Sequence, residues 1–248
     1  MKRAAAMAFV VLASVSCGSG EPVASPAPAT SEPVLNTSDS PAPVPATGTA
    51  TAAPGKTAPP AFAAKVTKVS RDRLPYSWRS GCPVHFRDLR LITMTYWGFD
   101  GKPHTGGELV VRKTVTDDIV TVMKKLYDWR WPIKQMKLVD AYKGDDFDSI
   151  DADNTSAFNC RPATGSSNWS NHAYGEAIDI NPRENPYVTA SGSTAHQNAK
   201  KFTKRPLKGK GVVNPRDRVV KAFAQVGWEW GGYWSGTKDY QHFSKGGG

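Results

Sequence analysis

The chain has 248 residues and a formal net charge of +10 at pH 7. That length suits one sizeable domain with extensions, and the N-terminal quarter does differ in kind from the rest. Basic residues are dispersed through the second half without aromatic interleaving, which argues against nucleic acid as a partner.

Met1 to Ser16 opens with Lys2 and Arg3, continues as an apolar run from Ala4 to Val15 and ends in small residues. This is the layout of a secretory signal peptide, too short and wrongly flanked for a stable membrane span. Ser16-Cys17-Gly18 resembles the bacterial lipoprotein processing signal, in which the cysteine becomes the lipidated first residue. Ser14 departs from that signal, which usually has leucine there. The resemblance implies residues 1–17 as signal peptide and a lipid anchor at Cys17 on the outer face of the cytoplasmic membrane. Simple secretion is the alternative. With Cys17 set aside, Cys82 and Cys160 form an even pair in an oxidising compartment, and a disulfide is expected. Two free buried thiols are the competing reading. The loop closed would stabilise the fold by about 4 kcal/mol in the chain-entropy model. For a basic secreted protein, anionic wall polymer is a nearer partner than nucleic acid.

Residues 18–64 are Pro, Ala, Ser and Thr with almost no large apolar side chains. They cannot bury enough surface to offset their ordering entropy and should form an extended, disordered tether. The folded domain is expected over 65–248. Leu89 to Trp97 alternates as a strand, Gly98 to Lys102 turns the chain, and Leu109 to Val111 returns it. Thr116 to Arg130 predicts a helix capped by Thr116, with Ile119, Val122, Met123 and Leu126 on one face and Pro132 ending it. Met136 to Ala141 predicts a strand.

Asp145 to Asp153 reads as a solvated acidic loop; it lacks the glycine and terminal glutamate of a helix-loop-helix calcium site. Residues 183–211 read as a long mobile loop ending in the basic run Lys200, Lys201, Lys204, Arg205, Lys208 and Lys210. Asn214 to Gly227 predicts a helix capped by Asn214, and Trp228 to Trp234 and Asp239 to Phe243 a terminal strand pair. Short strands and helices without regular alternation indicate an α+β domain.

The chemistry centres on Trp169 to Pro182, WSNHAYGEAIDINP. His172 and Asp179 are metal-ligand types, and Glu176 to Ile180 alternates as a short strand, with Glu176 off the ligand face. His242 near the C-terminus supplies a third ligand. Two imidazoles and one carboxylate leave a fourth position open, the pattern of a catalytic zinc site; nickel or cobalt would suit the same donors. Asp239 lies three residues before His242 and is a candidate general base. In a continuous strand alternation would send the two side chains to opposite faces, so convergence needs a turn or bulge between them. Glu229 competes with it for that role.

Ser170-x-His172, Gly175, Ala177 and Asp179, followed by Asp239, His242 and Phe243, resemble the zinc D-alanyl-D-alanine carboxypeptidases and the related L-alanyl-D-glutamate endopeptidases. The resemblance implies a small α+β fold shared with the hedgehog signalling domain, an antiparallel sheet carrying the metal, and flanking helices. It implies that His172, Asp179 and His242 bind zinc and that Asp239 is the base, where several members have glutamate. Arg161 would polarise the substrate carbonyl, with an ion pair to the acidic loop as its alternative; Ser170 would contact substrate or be a turn residue. The expected substrate is the stem peptide of peptidoglycan, with terminal D-alanine released. Cleavage at an internal bond is the nearest rival, and a wall-binding module without catalysis the rival of another class. His85, His104 and His196 have no ligand-spaced partner, and the eight tryptophans are read as core residues more than as a sugar platform. The oligomeric state is not legible.

Overall fold

Alternating β-formers make Leu89–Gly98 (β2) the backbone of the first sheet. Ala64–Lys68 (β1) lies antiparallel on one edge of β2, Pro103–Arg112 (β3) antiparallel on the other, and Pro132–Ile133 (β4) pairs parallel with its end. The computed structural model describes residues 59–247. These lie in the second of two units, Lys56–Gly248; the expected signal peptide, Cys17 and most of the expected tether lie outside the described residues. The Tyr127 hydroxyl donates to the Pro60 carbonyl and Phe62 packs on Tyr127, so contacts with the body begin ahead of Lys65.

Thr116–Asp128 (α1) packs on β2 and buries Ile119, Val122, Met123 and Leu126, the face its periodicity predicts. Val115, not Thr116, occupies the cap position, and the Thr116 hydroxyl donates back to the Lys113 carbonyl. The helix ends before Pro132, because Arg130 takes a left-handed φ of 51° and turns the chain. The strand expected over Met136 to Ala141 is shorter and earlier, Gln135–Met136 (β5), followed by a 3-10 turn, Val139–Tyr142.

Asp145 to Asp153 is not a loop. Asp145 caps a short helix, Asp146–Asp151 (α2), its carboxylate accepting from the Asp148 N–H at 2.9 Å. Asp153 is buried beside Arg183 rather than solvated. Asn154–Thr155 (β6) then pairs parallel with β5.

A second sheet carries the site. Ala177–Asp179 (β7) and Trp228–Trp230 (β9) flank the last strand, His242–Lys245 (β11), both antiparallel to it. Tyr187–Val188 (β8) pairs instead with Lys238–Asp239 (β10). The expected terminal strand pair is therefore divided: β9 pairs with β11, while β10 belongs to another ladder, and Gly231–Tyr233 is a 3-10 turn.

The helix expected from Asn214 starts at Arg218, Arg218–Ala224 (α3). The Asn214 side chain is engaged with Leu207, and Asp217 takes the cap position. Val219 and Phe223 of α3 join Ile92, Leu109, Trp228 and Phe243 in one core that binds both sheets. A smaller core around Leu74, Leu89 and Phe158 sits under the N-terminal segment and includes Cys160, which is disulfide-bonded to Cys82.

The stretch 183–211 is structured. It contains β8 and a 3-10 helix, Gln197–Phe202, and Arg205 ties it down. The Arg205 guanidinium lies 4.1 Å over the Tyr240 ring and donates to the carbonyls of Glu184 and Phe202 and to Asn185 Oδ1. The lysines of the run are exposed. No helix among the described residues is long and apolar enough to cross a membrane.

Candidate metal centre and cleft

Asp179 and His242 are direct partners across the antiparallel ladder of β7 and β11, so their side chains share one face. His172 arrives from the 3-10 turn Asn171–Tyr174, where the Ser170 hydroxyl accepts from the His172 N–H at 3.3 Å. Gly175 closes that turn with φ 69°, and a Cβ there would stand 2.7 Å from the Arg112 nitrogen, so only glycine lets the turn dock. Glu176, next in line, leaves the ligand face and binds Arg112 at 2.8 Å.

The three side chains converge. His172 Nε2 lies 3.1 Å from His242 Nδ1 and 3.2 Å from Asp179 Oδ2, and His242 Nδ1 lies 3.2 Å from Asp179 Oδ1. Donors at zinc bond lengths in a tetrahedron stand about 3.3 Å apart, so these residues fit a metal ion as they are placed. His172 Nδ1 donates to the Ala157 carbonyl, which leaves the Nε2 lone pair facing the cluster. Burial disfavours protonated His172, but Asp179 outweighs it and raises its pKa. Burial likewise pushes Asp179 up, and His172 and His242 outweigh it to hold the carboxylate below its usual range. Site and counter-charges thus favour an ionised Asp179, the form a cation needs.

Asp239 reaches the same cleft. It pairs with Tyr187 across β10 and β8, and the chain breaks at Tyr240 and Gln241 before β11 begins. Two strands in different ladders, not one alternating strand, therefore carry Asp239 and His242. Asp239 is buried with Oδ1 free of any hydrogen bond. Burial, then the charge of Asp179, pushes its carboxyl up to about 7. A Cβ on Gly231 would lie 2.6 Å from the Asp239 carbonyl, so that approach requires glycine. Glu229 is exposed on β9 between the buried Trp228 and Trp230 and is absent from the cleft lining.

The cleft, about 380 Å³, is lined by these four groups with Arg161, Trp169, Ser170, Tyr187, Trp234 and Thr237 among others. Arg161 lines the cleft, and its Nη2 makes the ion pair of its alternative reading, with Asp146 at 2.8 Å. Ser170 is both the turn cap and a cleft residue. Trp169 and Trp234 stand in the cleft wall, and Trp169 also packs against the smaller core; nothing in their spacing marks them for the cleft. Asp146 carries no signal of its own in the sequence, standing among five aspartates from Asp145 to Asp153. His85 caps a turn, His104 meets Asp100 and His196 meets Asp151; among the described residues none joins a metal-type cluster, which is His172, Asp179 and His242 alone.

Residues 164–245, a third of the chain, match a family model described as D-alanyl-D-alanine carboxypeptidase. The matched segment contains His172, Asp179, His242 and Asp239, but neither Arg161 nor Asp146. No significant match was found among curated proteins or among solved structures.

Proposed function

We propose, from the match of residues 164–245 to a family model described as D-alanyl-D-alanine carboxypeptidase, that this chain is a zinc-dependent peptidase of peptidoglycan stem peptides, releasing terminal D-alanine. The observation that carries the reading is the meeting of His172, Asp179 and His242 within 4.8 Å in a cleft that also holds Asp239.

His172 Nε2, His242 Nδ1 and the Asp179 carboxylate would hold the ion. Zinc held there supplies a Lewis acid and makes water nucleophilic at neutral pH. Asp239 takes the proton of the attacking water and delivers it to the leaving amine nitrogen. Its burial keeps the carboxyl basic enough for the first transfer and acidic enough, once protonated, for the second. Arg161 donates to the oxygen on which charge develops as the carbonyl becomes tetrahedral. Ser170 holds the His172 turn and offers its hydroxyl to the peptide; Trp169 and Trp234 flank the peptide and exclude water. The chain is secreted and anchored through Cys17, a reading supported by the apolar N-terminal run and the Cys82–Cys160 disulfide.

One observation favours cleavage at an internal L-alanyl-D-glutamate bond as the second reading. Arg161 is the sole cationic side chain lining the cleft among the described residues, and Asp146 already pairs with it. A free terminal carboxylate would therefore compete for a committed cation. Mass spectrometry of stem peptides incubated with zinc-loaded protein, with and without chelator, separates these readings. Loss of one alanine supports the carboxypeptidase, and cleavage after L-alanine supports the endopeptidase. No product from loaded protein would leave a binding module.

A further inference from the structure

Arg161 is presented to the cleft by a partner outside the family-matched segment. Its Nη2 meets Asp146 Oδ2 at 2.8 Å, and its Nη1 donates to the Pro162 carbonyl at 3.1 Å. The Nε–H is buried and has no acceptor. A guanidinium has five N–H donors in a rigid fork, so two are tied back and three remain. Without the Asp146 contact, the long side chain could turn about its flexible stem toward solvent; with it, the plane of the fork is set.

Asp146 is itself held. It opens α2 behind the Asp145 cap, and its Oδ1 is 3.5 Å from the amide of Asn159, which is buried. The Asn159 backbone N–H in turn donates to the His172 carbonyl at 3.2 Å. A short path thus joins the turn carrying the first ligand to the carboxylate that grips the arginine.

We propose that Asp146 is a positioning residue of this site, its carboxylate fixing the Arg161 fork so that the remaining N–H donors face the scissile carbonyl; the inference rests on the peptidase reading above. An aspartate in this place also limits the net positive charge that Arg161 brings close to a bound cation. The requirement is for a carboxylate of this reach, because a neutral amide of the same shape cannot hold a guanidinium by charge.

The test uses the metal-loaded full chain, with metal content and melting temperature measured for every variant. Asp146→Asn should lower kcat by ~10²-fold with KM little changed, as expected for a group misplaced in the transition state, while metal content stays at the wild-type level. Asp146→Glu should recover part of the loss. Arg161→Ala should cost ~10²- to 10³-fold in kcat, and the Asp146→Asn/Arg161→Ala double variant should be no worse than Arg161→Ala alone. Added guanidinium chloride should restore activity to Arg161→Ala but not to the double variant, because the free cation needs the Asp146 carboxylate to lodge. If Asp146→Asn keeps full kcat while Arg161→Ala is severely impaired, or if guanidinium rescues both backgrounds equally, the positioning role is overturned. An inactive wild-type enzyme, or an Arg161→Ala variant with full activity, overturns the peptidase or arginine reading instead. Independently of activity, nitrogen-15 spectra should give separate Arg161 Nη signals that merge in Asp146→Asn. Signals still separate in the variant would show that other contacts hold the fork.

Discussion

His172, Asp179 and His242 present their donor atoms to one point before any ion is considered, and the cost of that arrangement explains its sensitivity. Three buried polar groups whose lone pairs face one another are stabilised only when a cation or shared protons fill the space. His172→Ala or Asp179→Ala should therefore abolish stoichiometric zinc binding, read by elemental analysis of dialysed protein. Chelation of the wild type should lower its melting temperature by removing a ligand bound only to the folded state. Asp239 belongs to a different class. Asp239→Asn should retain metal and lose about 10²- to 10⁴-fold in kcat, whereas Glu229→Ala, altering an exposed residue of β9, should leave kcat unchanged. In the proposed role of base Asp239 must be ionised, so kcat/KM should rise with pH through its pKa. That value stands at about 7 from burial and Asp179; a dication held by the adjacent ligands favours the ionised form and draws the acid limb below it. A pH profile of zinc-loaded protein measures this limb, which should disappear in Asp239→Asn.

At the scale of elements, the site depends on a break. Had residues 238–245 continued as one strand, alternation would have separated Asp239 from His242. The chain instead leaves the ladder with β8, passes Tyr240 and Gln241, and enters the ladder with β7 and β9. Gly231, after β9, permits the close passage of Asp239. Gly231→Ala should push the β10 backbone away, costing about 1–3 kcal/mol in a denaturant titration and lowering kcat with zinc retained. Phe243, beside His242, stacks on Phe223 of α3 with ring centroids 4.0 Å apart. Phe243→Ala should destabilise by about 3–5 kcal/mol and weaken zinc affinity, since it loosens the strand that carries a ligand. Element type was legible where periodicity ran long, as in β2 and α1. It was not legible at the ends. Thr116 and Asn214 have the chemistry of caps, but the Lys113 carbonyl and the Leu207 backbone claim their side chains.

For the whole molecule, two features couple distant segments. The Cys82–Cys160 bond spans 78 residues and joins the N-terminal segment to the extended stretch leading to Arg161. Its reduction should cost about 2–5 kcal/mol, seen as a lower denaturation midpoint. Asp153 is the second. Burial, with Glu184 beside it, pushes its carboxyl up from 3.8 to about 7, against the pull of Arg183. The folded protein thus keeps a proton that the unfolded chain has released, so stability is greatest below pH 3.8 as far as this group is concerned and falls as pH rises to about 7. Asp153→Asn should flatten the pH dependence of the melting temperature across that window.

The sequence by itself marked the candidate donors, two candidate acids in Asp239 and Glu229, the cysteine pair and the mixed α+β character, because residue chemistry, parity and long periodic runs are local properties. Tertiary structure decided the rest. It split Asp239 and His242 between two ladders, buried Asp153 from a segment that reads as a solvated loop, ordered the basic stretch through Arg205, brought Trp169 and Trp234 to the cleft and set Asp146 against Arg161. Each of these depends on which backbone groups and side chains from distant segments compete for the same partner, and that competition is settled only when the chain is packed.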